Sequence, residues 1–178
     1  MVEQDSSGEL DAGEASGARH ALILSLRSSD AVVRRQARKQ LTQQGQRALR
    51  QLVPLLAESN EDVRCEAAQA LADIADPSST PHLVAALEDT SGEVRLLAAV
   101  GLVAIGPAAL VPLLHVLRER ADSMPLREGA HHVLQQLSSD DSRRALAPVL
   151  AALQTDDPDT SVREPIRAAV ERIRKLRS

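Results

Sequence analysis

Few side chains in this sequence have both the type and the spacing that covalent or metal chemistry requires. The single cysteine, Cys65, has no histidine close to it in sequence that could serve as the base for a thiol nucleophile. Of the five histidines only His131 and His132 are adjacent, and neighbours on a helix point about 100° apart, so they cannot clamp one metal ion. The common metalloprotease, nucleotide-binding and serine-hydrolase motifs do not occur. We therefore expect no catalytic residue, no metal site, no cofactor and no enzyme activity of the chain's own.

Two groups of basic residues raise the alternative of nucleic-acid binding. The first comprises Arg34, Arg35, Arg38 and Lys39, and the second lies between residues 163 and 177. However, the chain has no Phe, Tyr or Trp that could stack on a base, and its net charge is −4. Nucleic-acid binding is therefore disfavoured. The second group could instead form the solvated surface of a terminal helix or contact an anionic protein.

Charge and cysteine content indicate the compartment and the domain organisation. Residues 1–16 are acidic, rich in Ser and Gly, and lack the apolar core of a signal peptide. We expect a disordered acidic tail there, followed by one repeat domain over residues 17–178. One cysteine excludes an internal disulfide, and no uninterrupted apolar run is expected to reach the ~18 residues of a membrane span. The lack of a signal peptide and of a membrane span predicts a cytoplasmic protein that does not enter membranes. Because arginine greatly outnumbers lysine, a bias of GC-rich coding, the sequence also predicts a bacterial source.

A Val-Arg pair, or Leu-Arg in one case, recurs every 30–36 residues, a period typical of solenoid proteins. The pairs begin at Val33, Val63, Val94, Leu126 and Val162. Mostly apolar residues follow four, eight and eleven positions later, which predicts a helix with one buried stripe. A preferred N-cap precedes each of these helices, namely Asp30, Asn60, Ser91, Ser123, and either Asp159 or Ser161.

A Leu-x-x-x-Leu motif precedes each Val-Arg helix and predicts a first helix for every repeat. The motif begins at Leu22, Leu52, Leu83, Leu110 and Leu146. Its distance to the following pair grows by five residues in the last two repeats, from which we expect loop insertions there. Pro54, Pro112 and Pro148 occupy the same motif position, so these first helices should start late or bend.

The two motifs together predict an all-α fold, an α-solenoid of about five antiparallel helix pairs in which neighbouring pairs stack. The recurring caps, Val-Arg pairs and Ala and Leu positions resemble HEAT repeats, specifically the short HEAT-like type of the phycobilisome lyases. The resemblance covers most of the chain and implies that the second helices line the concave face. It also implies that each arginine pairs with the acidic cap of a neighbouring repeat. Since only Asp30 and Asp159 are acidic among the caps, we expect this ladder to fail in the middle.

The second helix of the third repeat, within residues 93–106, is apolar on the side that faces away from its buried stripe. Leu96, Leu97, Val100 and Val103 occupy positions where the other repeats mostly carry polar side chains. An exposed apolar patch is typical of an interaction site. We predict a partner-binding site formed by these four residues and a polar rim from the flanking repeats, Arg35, Lys39, Glu66 and His132. The alternatives are self-association through the patch, or a helix packed so deeply that nothing is exposed.

These observations predict a non-catalytic scaffold or regulatory adaptor that binds another protein along the concave face. The resemblance implies an alternative, an accessory subunit of a lyase or modification enzyme. A HEAT-like nucleic-acid binder is a third reading. We expect a monomer, with weak homo-oligomerisation as the alternative.

Overall fold

The computed structural model describes residues 17–155 and 162–176, and within them the chain is all-helical, as predicted. The predicted acidic tail, residues 1–16, lies outside the described residues. The helices are α1 (17–25), α2 (Ala31–Gln43), α3 (Gln46–Leu52), α4 (Glu61–Ile74), α5 (Thr80–Ala86), α6 (Gly92–Ile105), α7 (Leu110–Glu119), α8 (Met124–Gln136), α9 (Asp140–Leu153) and α10 (Arg163–Leu176). A short 3₁₀ segment follows α3, and others precede α5 and α7.

Neighbouring helix pairs stack, as the solenoid prediction requires. The second helices α2, α4, α6 and α8 pack side by side, and the first helices α5 and α7 pack beside each other in a second layer. The leucines eight positions after the start of each Val-Arg pair are fully buried, namely Leu41, Leu71, Leu102 and Leu134. They belong to one continuous apolar core that runs through the repeats. Each such leucine stabilises the fold by about 1.5–3 kcal/mol.

The predicted N-caps lie where the sequence placed them. Asp30, Asn60, Ser91 and Ser123 each accept a hydrogen bond from a backbone N–H in the first turn of the helix that follows. These bonds satisfy amides that have no partner within the helix. The fifth cap, predicted at Asp159 or Ser161, lies outside the described residues.

The arginine of the Val-Arg pair has the same local role in four repeats. Its Nη1 donates to the backbone carbonyl six residues earlier, in the turn between the two helices of its own repeat. The bonds run from Arg34 to Ser28 at 2.9 Å, from Arg64 to Glu58 at 2.9 Å, from Arg95 to Asp89 at 2.8 Å and from Arg127 to Ala121 at 3.3 Å. The turn leaves these carbonyls without a helical partner, which explains why arginine recurs at this position.

Ion pairs between repeats exist where the cap residues did not predict them. Arg34 Nη2 lies 3.0 Å from Asp62 Oδ2 on α4, and Arg64 donates to both carboxylate oxygens of Asp89, at 2.8 and 3.0 Å. The prediction that the ladder fails in the middle is therefore wrong at Arg64. The acid that pairs with this arginine is Asp89, two residues before the Ser91 cap. Burial opposes ionisation of Asp89, but the bonds from Arg64 and from the Ser91 backbone outweigh it and hold the carboxyl pKa below its ordinary value.

The fourth repeat does not contain the expected loop insertion. Its extra residues lengthen α7 to 10 residues, against 7 in α5, and α8 begins soon afterwards at Met124. The prolines act in three different ways. Pro54 lies in the 3₁₀ segment after α3, Pro112 lies in the first turn of α7, as a late start requires, and Pro148 lies inside α9.

The regular stacking of second helices ends at α8. The main neighbours of α10 are α9 and α7, and α9 packs on α8. Arg174 Nη2 of α10 lies 3.3 Å from His115 Nε2 of α7. The last pair therefore closes the stack in an arrangement that the repeat pattern did not predict.

A corner at Gly106 divides an apolar stretch that is long enough to cross a membrane. Contrary to the sequence expectation, the described residues contain one such stretch, the 28 residues Gly92–Glu119, with a mean hydropathy of 2.3 in its most apolar window. Gly106 has φ 77° and ψ −147°, a conformation that glycine adopts far more readily than other residues. The stretch thus becomes two helices, α6 and α7, and both contribute buried leucines to the core.

Candidate protein-binding face

Helix α6 exposes two large apolar side chains in the middle of the stack. Leu96 is 58% exposed and Val100 is 42% exposed, and the two stand one helical turn apart. Leu97 and Val103 are partly buried and pack against the core, so they are less open than the sequence analysis expects. The reason is that α6 has neighbours on both sides, α4 and α8, which leave only a narrow stripe open. We call Leu96 and Val100 the apolar patch.

The predicted polar rim is only partly adjacent to this patch. Arg35 and Lys39 are exposed but lie on α2, which α4 separates from α6. The Glu66 side chain is only 13% exposed and pairs with two arginines of α2, at 3.4 Å in the closer case, so it joins the first two repeats. His132 is exposed on α8, the helix next to α6.

The exposed charged side chains of the helix that carries the patch and of its two neighbours are acidic, and sequence reasoning missed this. The exposed charged residues of α4, α6 and α8 are Glu61, Asp62, Asp73, Glu93 and Glu128. Asp62 is paired with Arg34 of α2, and we call the other four, Glu61, Asp73, Glu93 and Glu128, the acidic rim. The three arginines of the same helices are buried or half-buried and bond turn carbonyls. A comparison of the charged residues at exposed helical positions, repeat by repeat, would reveal the excess of acidic over basic side chains on these three helices.

Cys65 lies beside part of the acidic rim. Its thiol and the carboxylates of Glu61 and Glu93 place their ligand atoms within 4.8 Å of one another. Burial, and then the negative charges of Glu93, Glu61 and Asp62, raise the pKa of this thiol to about 11. The thiol is therefore protonated near neutral pH and is a poor nucleophile. Three such groups could in principle hold a metal ion, but both carboxylates are exposed and Glu61 already accepts a hydrogen bond from Ser91 Oγ at 2.6 Å.

Comparison with known proteins decides the family. The family model for HEAT repeats matches residues 20–100 and 80–171. The chain belongs to the HEAT-repeat family. This confirms the family resemblance that the repeated motifs indicated.

A solved structure of a two-protein complex is similar to this chain. The chain is similar to the structure of the complex of CpcE and CpcF of phycocyanin lyase from Nostoc sp. PCC7120. Sequence identity is 25% and the TM-score is 0.53, over 86% of this chain and 98% of that chain. A search of the curated proteins found no match.

This HEAT-repeat array also has a cleft between α8 and the end of α9, with a volume of about 440 Å³. Met124, Glu128 and His131 line it from α8. Arg127 borders it but is only 4% exposed, and its Nη2 donates to backbone carbonyls at the end of α9 and just after it, including that of Thr155 at 2.9 Å. The guanidinium is therefore committed to holding the fourth and fifth repeats together and is not free to bind a ligand.

Proposed function

We propose that this HEAT-repeat protein is a non-catalytic protein-binding subunit, and that it holds its partner against the face formed by α4, α6 and α8. The observation that carries the proposal is the apolar patch, because Leu96 and Val100 stand exposed where neighbouring second helices carry polar residues. Exposed apolar side chains that adjoin each other and are rimmed by charge are typical of interaction sites. The 25% identity to a complex of two subunits supports a protein partner.

The patch alone is too small for tight binding. Full burial of two such side chains contributes about 3–6 kcal/mol in total. Association costs about 4–15 kcal/mol in lost translational and rotational freedom. The polar groups around the patch must therefore contribute to affinity or specificity.

A second form of the proposal is favoured by the comparison with solved structures. In it, the chain is an accessory subunit of a lyase or another modification enzyme, and its partner is the other subunit of that enzyme. The support is the likeness to the phycocyanin lyase complex, which extends over 98% of that chain. Nucleic-acid binding has less support, because the exposed Asp, Glu, Lys and Arg residues of α4, α6 and α8 are all acidic.

The test is capture of the partner with two matched double variants. Leu96→Glu with Val100→Glu places charge in the apolar patch. Leu24→Glu with Val32→Glu is the control, since Leu24 and Val32 are each 53% exposed and lie on α1 and α2. Wild type and both variants are used to capture proteins from the source lysate, and far-ultraviolet circular dichroism checks that each is folded.

The expected result is one protein that wild type and the control retain and that the patch variant loses. If all three retain the same proteins equally, the patch is not the binding face and the proposal is wrong. The accessory-subunit form further expects the captured protein to be an enzyme subunit. Any chromophore that it carries would absorb against a chain that contains no aromatic residue.

A further inference from the structure

We infer that the segment held by this face is a basic amphipathic helix, with apolar residues on the patch and Lys or Arg against the acidic rim. The inference rests on the proposed function and specifies its partner. It follows from the charged side chains of α4, α6 and α8, because every exposed Asp, Glu, Lys or Arg on these helices is acidic.

The acidic rim lies on the helix that carries the patch and on the two helices packed against it. Glu93 stands one turn before Leu96 on α6, Asp73 is exposed at the end of α4, and Glu128 is exposed on α8. The positive charges of these helices do not balance them. Arg64 is bound to Asp89 and to turn carbonyls, Arg95 bonds two turn carbonyls, and Arg127 is buried. A partner with flanking Lys or Arg residues would therefore gain electrostatic attraction, and an acidic partner would be repelled.

The geometry of the patch favours a helical partner. Leu96 and Val100 present two apolar side chains about 6 Å apart along the axis of α6, which is one helical turn. A partner helix with apolar residues at positions i and i+4 repeats this spacing on one face. Its neighbouring positions then place cations over α4 and α8, where Asp73 and Glu128 are exposed. The carboxylates supply the attraction that the small patch lacks.

The absence of Trp and Tyr from the chain permits a direct assay. The probe is a synthetic peptide of about 18 residues, long enough for a stable helix, with Leu and a single Trp on its apolar face and Lys elsewhere. A matched peptide carries Glu in place of Lys. Tryptophan emission from the peptide shifts to shorter wavelength when the ring is buried, and the full-length protein contributes no emission of its own. Each peptide is titrated at about 50 mM and about 500 mM salt.

Three variants locate the site. Leu96→Ser with Val100→Ser removes the patch, and Glu93→Gln with Glu128→Gln removes two carboxylates beside it. Glu119→Gln with Glu171→Gln changes the net charge equally on α7 and α10, whose exposed acids lie off the face.

We expect the Lys peptide to bind and the Glu peptide not to bind. Loss of Glu93 and Glu128 should weaken the Lys peptide about fivefold, the high-salt buffer should weaken it about tenfold, and the control charge variant should change little. If both peptides bind equally and both need the patch, the proposed function stands and the basic partner is wrong. If the Lys peptide fails to bind, or binds equally without the patch, the inference is also overturned, and the partner capture separately decides the proposed function.

Discussion

Helix α6 lies close to α4 at Gly101, and an alanine there should destabilise the protein. A Cβ at this position would lie 2.9 Å from Leu83 Cδ1 and 3.3 Å from both Cα and Cβ of Ala72. Leu83 is 0% exposed and Ala72 is 5% exposed, so neither has open space into which it could move. The Ala72 backbone belongs to α4, so the strain would be placed on the packing between the second and third repeats.

The magnitude follows from two opposing effects. Overpacking of a well-filled core costs about 1–3 kcal/mol. Replacing Gly by Ala inside a helix returns about 1 kcal/mol through helix propensity. Gly101→Ala should therefore lower the free energy of unfolding by about 1 kcal/mol, which for a chain of this length lowers Tm by about 2–4 °C.

Gly92 of the same helix provides the matched control. A Cβ there would meet only Arg95 Nη2, at an ordinary 3.6 Å, and Gly92 is exposed. Gly92→Ala should therefore raise the unfolding free energy by about 0.5 kcal/mol. Urea unfolding followed by far-ultraviolet circular dichroism measures both variants. If Gly101→Ala stabilises the protein as much as Gly92→Ala does, α6 does not approach α4 this closely and the packing argument fails.

Three further perturbations have defined outcomes. Arg64→Met should cost about 2 kcal/mol, because it leaves a half-buried carboxylate without its partner. Because folding lowers the pKa of Asp89, this stabilisation is fully present above the ordinary pKa of 3.8 and is lost as pH falls through the lower folded pKa. The unfolding free energies of wild type and variant, measured with urea, should therefore converge in acid. The pKa of Cys65 is raised from 9.0 to about 11, so at mildly alkaline pH this thiol should react with a disulfide reagent about tenfold more slowly than a free thiol, because the greater nucleophilicity of a more basic thiolate offsets part of its lower population. Glu93→Gln should speed the reaction, and an unchanged rate would contradict the role of Glu93. Ala75 ends α4 with φ 52° and ψ 35°, so Ala75→Gly should stabilise by about 0.5–1 kcal/mol in thermal unfolding, and a loss of stability would refute that reasoning.

The repeat architecture could be predicted because its signals are local. A cap such as Asn60 acts on the turn that follows it, and the Val-Arg pair bonds a turn only six residues away. These contacts join residues that are close in sequence, and the same residue types recur at the same spacing in each repeat.

Other features depend on which helices become neighbours, and the sequence pattern alone did not contain them. The pattern of a single helix predicts one buried stripe. Because α6 lies between α4 and α8, Leu97 and Val103 beside that stripe are also partly buried. The family resemblance places the partner of Arg64 at the cap position, whereas Asp89, its partner in the structure, lies in the turn between α5 and α6. The acidic rim was missed because the rim was predicted from residues of several repeats without regard to their distance from α6.

The arginine bond to the turn of its own repeat has a consequence for how such a chain can change in length. In four repeats the arginine bonds the turn that joins two consecutive helices, as seen at Arg34, Arg64, Arg95 and Arg127. Both partners of this hydrogen bond therefore lie within one stretch of about 30 residues. Duplication of such a stretch copies both partners of the arginine–turn hydrogen bond, and deletion of one removes only the bond of that repeat. Growth or shortening by whole repeats therefore leaves the remaining helix pairs intact, whereas an insertion of a few residues between helix and turn would not.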